Sequence, residues 1–153
     1  MSESILETRP ATDADFQYVW RVYSDAIKDH ITPHLQDGWR DGIEIERFRK
    51  IWNIADTHII TVDQKPVGWG GIVVSENEVL IEHLYIEAAY QGKHIGSRII
   101  SEMTAQWTKE GKTVRAEVLK DEKIMALASQ LGFEKAATST DHPLTHTFTY
   151  ASR

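Results

Sequence analysis

The 153-residue chain contains no cysteine. That absence removes disulfides, thiolate-bound zinc, iron–sulfur ligation and a cysteine nucleophile. It also fits a reducing compartment. Positive charge is in deficit: 17 Lys and Arg stand against 23 Asp and Glu, a net of −6. A nucleic-acid surface works by neutralising phosphates, so this balance argues against one. No apolar run approaches the roughly 20 residues that a membrane helix needs. The start, MSESILETRP, lacks the basic and apolar regions of a secretory leader. The expectation is a cytoplasmic protein with neither nucleic acid nor membrane as partner. At roughly 100–200 residues per domain, the length predicts one domain over 1–153. A chain of this size buries about two-thirds of its unfolded surface, enough for a core without staples.

The pattern along the chain is mixed. Ile5–Thr8 reads as a short strand, followed by Pro10. Thr12 with Asp15 three residues later reads as a capped helix start. Phe16, Val19, Trp20, Tyr23 and Ile27 keep helical spacing to about Lys28. His30–Gly42, with Pro33, Gly38 and Gly42, reads as a loop, and Ile43–Ile54 resumes a helical rhythm. Strands are expected at Thr57–Val62, Val67–Val74 and Val79–Ile86, joined by short turns as an antiparallel meander. A long helix follows from Ile95 to Lys109, with Gly111 as its C-terminal stop. Then come a strand at Thr113–Leu119, a helix at Asp121–Gln130, a stop and strand at Leu131-Gly132-Phe133, and a last strand at Thr145–Tyr150. The order βααβββαβαββ predicts an α/β fold with a mixed, mostly antiparallel central sheet. Strands that are apolar on both faces need helices on both faces.

The chemistry is concentrated in Val79–Met103, where a strand runs through a short loop into the long helix. The junction is Gln91-Gly92-Lys93-His94-Ile95-Gly96-Ser97. A helix start offers unpaired N–H groups and the positive end of the helix dipole. Glycines allow close approach, so a pyrophosphate fits such a site. Lys93 adds a charge and Ser97 a hydroxyl. The plain alternative is a strand–helix turn with glycines placed for geometry. The Walker pattern is absent. The dinucleotide fingerprint needs three spaced glycines after a first parallel strand, which this loop does not follow.

This loop resembles the acetyl-CoA signature of the GNAT N-acetyltransferases, a Gln/Arg-x-x-Gly-x-Gly/Ala pattern after an apolar strand. Gln91 and Gly96, within LYIEAAYQGK and IGSRII, carry the resemblance, while His94 stands where the family usually has glycine. The likeness spans nearly the whole chain. ETRPATDADF is similar to the family's opening strand and helix, VDQKPVGWGGI to its hairpin, and Leu131-Gly132-Phe133 to its last helix stop. The resemblance implies a GNAT-type acyl-CoA acyltransferase fold. It also implies acetyl transfer from acetyl-CoA to a primary amine of a small molecule or peptide, by direct attack in a ternary complex. Leu84, Tyr85, Ile86 and Gln91 to Ser97 (Gln91, Gly92, Lys93, His94, Ile95, Gly96, Ser97) would then bind the cofactor. Since the overall charge repels phosphates, the loop amides and Lys93 must hold them locally.

The attacking amine must be neutral, and with a pKa near 10.4 only about one in 10³ is so at pH 7. A base is therefore needed, and strand N–H groups would stabilise the oxyanion. Glu82, interrupting an apolar strand, is the candidate base; its plain alternative is an ion pair or an exposed sheet end. Leu80 occupies the other position where relatives place a glutamate and cannot serve. By alternation His83 faces away from Glu82 and reads as a packed or hydrogen-bonded histidine. The family's proton-donating tyrosine position is Ala128, and its asparagine position is Asp121. Tyr85 is the substitute donor, unless the thiolate, of pKa about 8.5 as a free thiol, leaves unaided.

By the same resemblance the first two helices and their connection build the acceptor site. Trp39 and His34 are the candidate contacts, while Phe48 and Trp52 read as core. His30/His34 and His142/His146 have i, i+4 spacing, but Pro33 and Pro143 interrupt the helix that would make it useful, so no metal is expected. The alternative function is a non-catalytic acyl-CoA-binding sensor of the same fold. A homodimer is left open.

Overall fold

The computed structural model describes residues 6–92, 94–136 and 144–151. Its elements are β1 (Leu6–Pro10), α1 (Phe16–Ile31), α2 (Asp41–Ile51), β2 (Thr57–Val62), β3 (Lys65–Val74) and β4 (Glu78–Ile86). They continue as α3 (Ile95–Lys109), β5 (Thr113–Leu119), α4 (Glu122–Gln130), β6 (Phe133–Lys135) and β7 (Thr145–Tyr150). The strands form a seven-stranded sheet in the order β1-β2-β3-β4-β5-β7-β6. The β4–β5 ladder is parallel, and β1–β2, β2–β3, β5–β7 and β6–β7 are antiparallel. The mixed, mostly antiparallel sheet and the element order are as expected from the pattern.

Several boundaries differ from expectation, each for a physical reason. β1 runs on through Pro10, which pairs with His58. Proline is tolerated there because β1 is an edge strand. α1 continues past Lys28 to Ile31, with Lys28 and His30 in its last turn, where cations suit the dipole. α2 starts at Asp41 and not Ile43; Asp41 and Glu44 lie in its first turn, where acids suit the helix dipole. It stops at Ile51 because Trp52 turns extended, with φ −70° and ψ 125°.

The residues group into two compact units: Met1–Gly71 with Tyr85–Tyr90, and Ile72–Leu84 with Gln91–Arg153. In the first, Phe16, Val19 and Val22 of α1 pack with Phe48, Ile59 and Trp69. Helical spacing puts the three α1 residues on one stripe. The start of α1 is tied to β1 through Asp15. Its carboxylate accepts from the Thr12 N–H at 2.8 Å and from both Arg9 nitrogens at 2.9 Å. The Arg9 hydrogen bonds hold the Asp15 carboxyl down at about 2.

In the second unit, Val79 and Ile81 of β4 pack with Ile72, Ile100, Val114, Val118, Phe133 and Phe148. Met103 and Trp107 of α3 and Met125 and Ala128 of α4 close around them. α3 ends as expected, with Gly111 at φ 84° just past its last turn. The Lys112 ammonium donates to the carbonyls of Ser75 (2.6 Å) and Glu76 (2.9 Å), fixing the turn that leads into β4.

Candidate active site

The β4–β5 ladder covers only Glu78–Ile81 against Thr113–Ala116. Both strands continue, β4 to Ile86 and β5 to Leu119. β5 spends this stretch paired with β7, from Arg115 to Leu119. The second half of β4 therefore lies beyond its parallel ladder, and that half carries the predicted site residues.

Glu82 is exposed, at the first position past the ladder. His83 is half-buried, and desolvation pushes its imidazole down to about 4, so it is neutral at pH 7. This agrees with opposite orientations for the two side chains. Leu84 packs against the second unit's core. Tyr85 packs in the first unit, with its ring 5.3 Å from Trp69 and edge-on to Tyr23 at 5.6 Å. Burial, then the neighbouring Tyr23, raises the Tyr85 phenol far above its ordinary range. It stays protonated at any physiological pH and cannot act as a base. Gly68 of β3 explains how the backbone here sits so close: a Cβ at that position would collide with the Tyr85 carbonyl.

Glu87, immediately after β4, was not singled out by sequence reasoning. Its N–H donates to the Val67 carbonyl at 2.8 Å. Its carboxylate accepts from the Tyr18 hydroxyl at 2.9 Å and from Arg21 at 2.8 Å. Tyr18 and Arg21 lie three apart on α1, where they share a face. That spacing was legible, but the partner 66 and 69 positions away was not. The end of β4 is thus clamped at both backbone and side chain.

The loop that follows opens with Gln91 and Gly92, both exposed, Gly92 at φ 83°. Lys93 lies outside the described residues. His94 is the N-cap of α3, exposed and left-handed at φ 59°, ψ 21°. Its side chain makes no capping hydrogen bond, and no acid occupies the first turn, Ile95-Gly96-Ser97. The helix proper closes with Arg98 N–H on the His94 carbonyl at 2.9 Å. α4 differs: Asp121 Oδ1 accepts from the N–H groups of Lys123 (3.0 Å) and Ile124 (3.1 Å). An α3 start with neither acid nor side-chain cap has the donor set that an anionic pyrophosphate requires. The residues present therefore fit the phosphate portion of acetyl-CoA. Asp121 serves as a helix cap, and Ala128 is partly buried against the second unit's core.

Trp39 is half-buried and stacked on Trp20, centroids 6.0 Å apart and planes 13° from parallel. Its indole N–H donates to Asp41 Oδ1 at 2.6 Å. Trp20, Trp39, Asp41 and Ile45 line one surface cavity. His34 is exposed in the turn Thr32–His34 and does not line that cavity. Phe48 is 2% exposed, in the core as expected, and Trp52 packs on Phe16 at 5.3 Å. Among the described residues no three metal-ligating side chains converge; His142 lies outside them. No described helix is long and apolar enough to cross a membrane.

No curated protein matches the chain. Solved structures of the same fold are numerous. An acetyltransferase from Thermus thermophilus superposes with a TM-score of 0.70 at 17% identity, covering 94% of this chain and 95% of its own. An N-acetyltransferase from Staphylococcus aureus gives 0.68 at 14% identity, covering 94% and 99%. The PaiA N-acetyltransferase from Thermoplasma acidophilum, solved in complex with coenzyme A, gives 0.63 at 16% identity, covering 96% and 99%. The family model described as "Acetyltransferase (GNAT) domain" matches residues 53–135, from the turn before β2 to the end of β6. With more than half its length matched to that model, the chain belongs to the GNAT acetyltransferase family.

Proposed function

We propose that residues 1–153 act as one N-acetyltransferase domain, using acetyl-CoA to acetylate a primary amine of a small molecule or peptide. The observation that carries this reading is the α3 start. It follows β4 through the short connection 87–94, enters through a left-handed His94, and holds no acid or side-chain cap in its first turn. The coenzyme A held by the PaiA neighbour adds support.

The N–H groups of Ile95, Gly96 and Ser97 would take the pyrophosphate, with Gln91, Gly92, Lys93 and His94 around it. The backbone of Leu84, Tyr85 and Ile86, beyond the β5 ladder, would hold the rest and face the developing oxyanion. When bound, acetyl-CoA supplies the thioester whose C–S bond is exchanged for the amide C–N bond. Glu82 takes the proton that the amine gives up on attack, and its exposure lets it return that proton to water. Tyr85, held protonated by burial, is the group that would donate a hydrogen bond to the leaving sulfur. With no cysteine in the chain, a cysteinyl intermediate is excluded. Trp39 and His34 are the proposed contacts on the acceptor side.

A second reading, an acyl-CoA-binding sensor, draws on Ala128, a half-buried alanine at the position that the resemblance assigns to the family's tyrosine. One experiment separates the two. Glu82→Gln is expected to lower acetyl-CoA-dependent thiol release about 10²-fold or more and to leave stabilisation by acetyl-CoA unchanged. Unchanged turnover removes Glu82 from the mechanism. Stabilisation of the wild type with no release over a broad amine panel favours the sensor.

A further inference from the structure

The outer flank of α1 and the first turns of α2 enclose a solvent-open cavity of about 750 Å³. That is the size range of small-molecule sites, roughly 300–1,000 Å³. Its apolar wall is the Trp20–Trp39 stack. The tie from the Trp39 indole to Asp41 fixes that ring in one orientation, so the wall is formed in advance.

Four charges line the cavity: Arg21, Asp25, Lys28 and Asp41. Two of them are already engaged. Arg21 is bonded to Glu87 and lies over the Tyr18 ring at 5.2 Å. Asp41 accepts the Trp39 N–H. Asp25 and Lys28 remain. They are three residues apart on α1, a spacing at which opposite charges are neighbours, and both are exposed. Yet among the described residues neither takes part in an ion pair. Lys28 instead sits 5.9 Å from the centre of the Trp39 ring.

The available chemistry is thus one carboxylate, one ammonium and an aromatic face within one turn of helix. A polycation would meet Lys28 and Arg21, and a polyanion would meet Asp25 and Asp41. A ligand with both charges on one carbon satisfies the pair together. We propose that this cavity binds a zwitterionic α-amino acid with an aromatic side chain, its ammonium on Asp25, its carboxylate on Lys28 and its ring against Trp39. Calling that amino acid the acceptor rests on the acetyltransferase reading above; the binding itself does not.

The test is calorimetric titration of the full chain with L-phenylalanine, without acetyl-CoA. Saturable binding is expected. Phenethylamine and N-acetyl-L-phenylalanine each lack one charge, and each should bind about ten-fold more weakly. Lys28→Met and Asp25→Asn, exposed sites whose folding is checked by melting, should each lose a similar factor for L-phenylalanine. The proposal is overturned if L-phenylalanine does not bind, if the one-charge analogues bind as well, or if both variants match the wild type. Acetyl-CoA that still raises the melting temperature in that case leaves the acetyltransferase reading standing. Binding of L-phenylalanine with no stabilisation by acetyl-CoA does the reverse.

Discussion

His83, on β4, has a measurable signature. Desolvation lowers the His83 pKa from 6.5 to about 4. A depressed histidine favours the folded state in its neutral form. Its contribution is complete above about pH 6.5 and is lost as pH falls toward 4, because the unfolded chain takes the proton first. Discounted for partial exposure, the loss is about 1–3 kcal/mol. Urea unfolding at pH 7 and pH 4.5 should show the wild type losing that much more than His83→Gln. Parallel losses would mean that the imidazole is not desolvated. Asp15 does not confuse the result, since its depressed pKa of about 2 acts below pH 3.8. Strand alternation around an apolar core made the burial of His83 legible in the sequence. The Glu87 clamp was not legible, because a carboxylate at a strand end looks the same whether it faces water or two side chains on a distant helix.

Helix starts decide much at the scale of elements. Asp121 holds two N–H groups of α4. Asp121→Ala should cost about 1 kcal/mol of stability by thermal or urea unfolding; a change within error would mean that water caps the helix equally well. α3 has no such side-chain cap, which is the difference that the proposed cofactor site draws on. The type and order of the elements could be read from periodicity, since each long element carries a strong 2 or 3.6 repeat. Their ends could not. α1 runs a turn beyond Lys28, to Ile31, which lies four residues after Ile27 on the same face. Pro10 reads as a breaker and turns out to be the end of an edge strand. Such outcomes depend on which neighbour an element has, and one sequence does not state that. The end of the β4–β5 ladder at Ile81 and Ala116 belongs here too. The apolar runs of both strands continue, and only the pairing stops.

The chain as a whole carries a net charge of −6, yet its proposed donor is an anion. Net charge therefore gives the donor no attraction, and the proposed site relies on hydrogen-bond donors at short range. Preorganised N–H groups at a helix start are such donors, and their effect falls off within the first turn. The absence of cysteine sets the other limit, since it excludes a cysteinyl intermediate, and the proposed binding and chemistry both rest on the stretch from Glu82 to Ser97. The proposed acceptor contacts lie elsewhere, around α1 and α2, where the sequence shows only unconnected aromatics and charges. The most direct measurement is calorimetric titration of acetyl-CoA into the wild type and into Ser97→Glu. An acid in the first turn favours the helix itself by about 0.3–1 kcal/mol, so the variant should melt no lower than the wild type. Its carboxylate would oppose the pyrophosphate, so its affinity should fall about ten-fold or more. Equal affinity in the two proteins, or no binding by the wild type, would contradict an acetyl-CoA site at the start of α3.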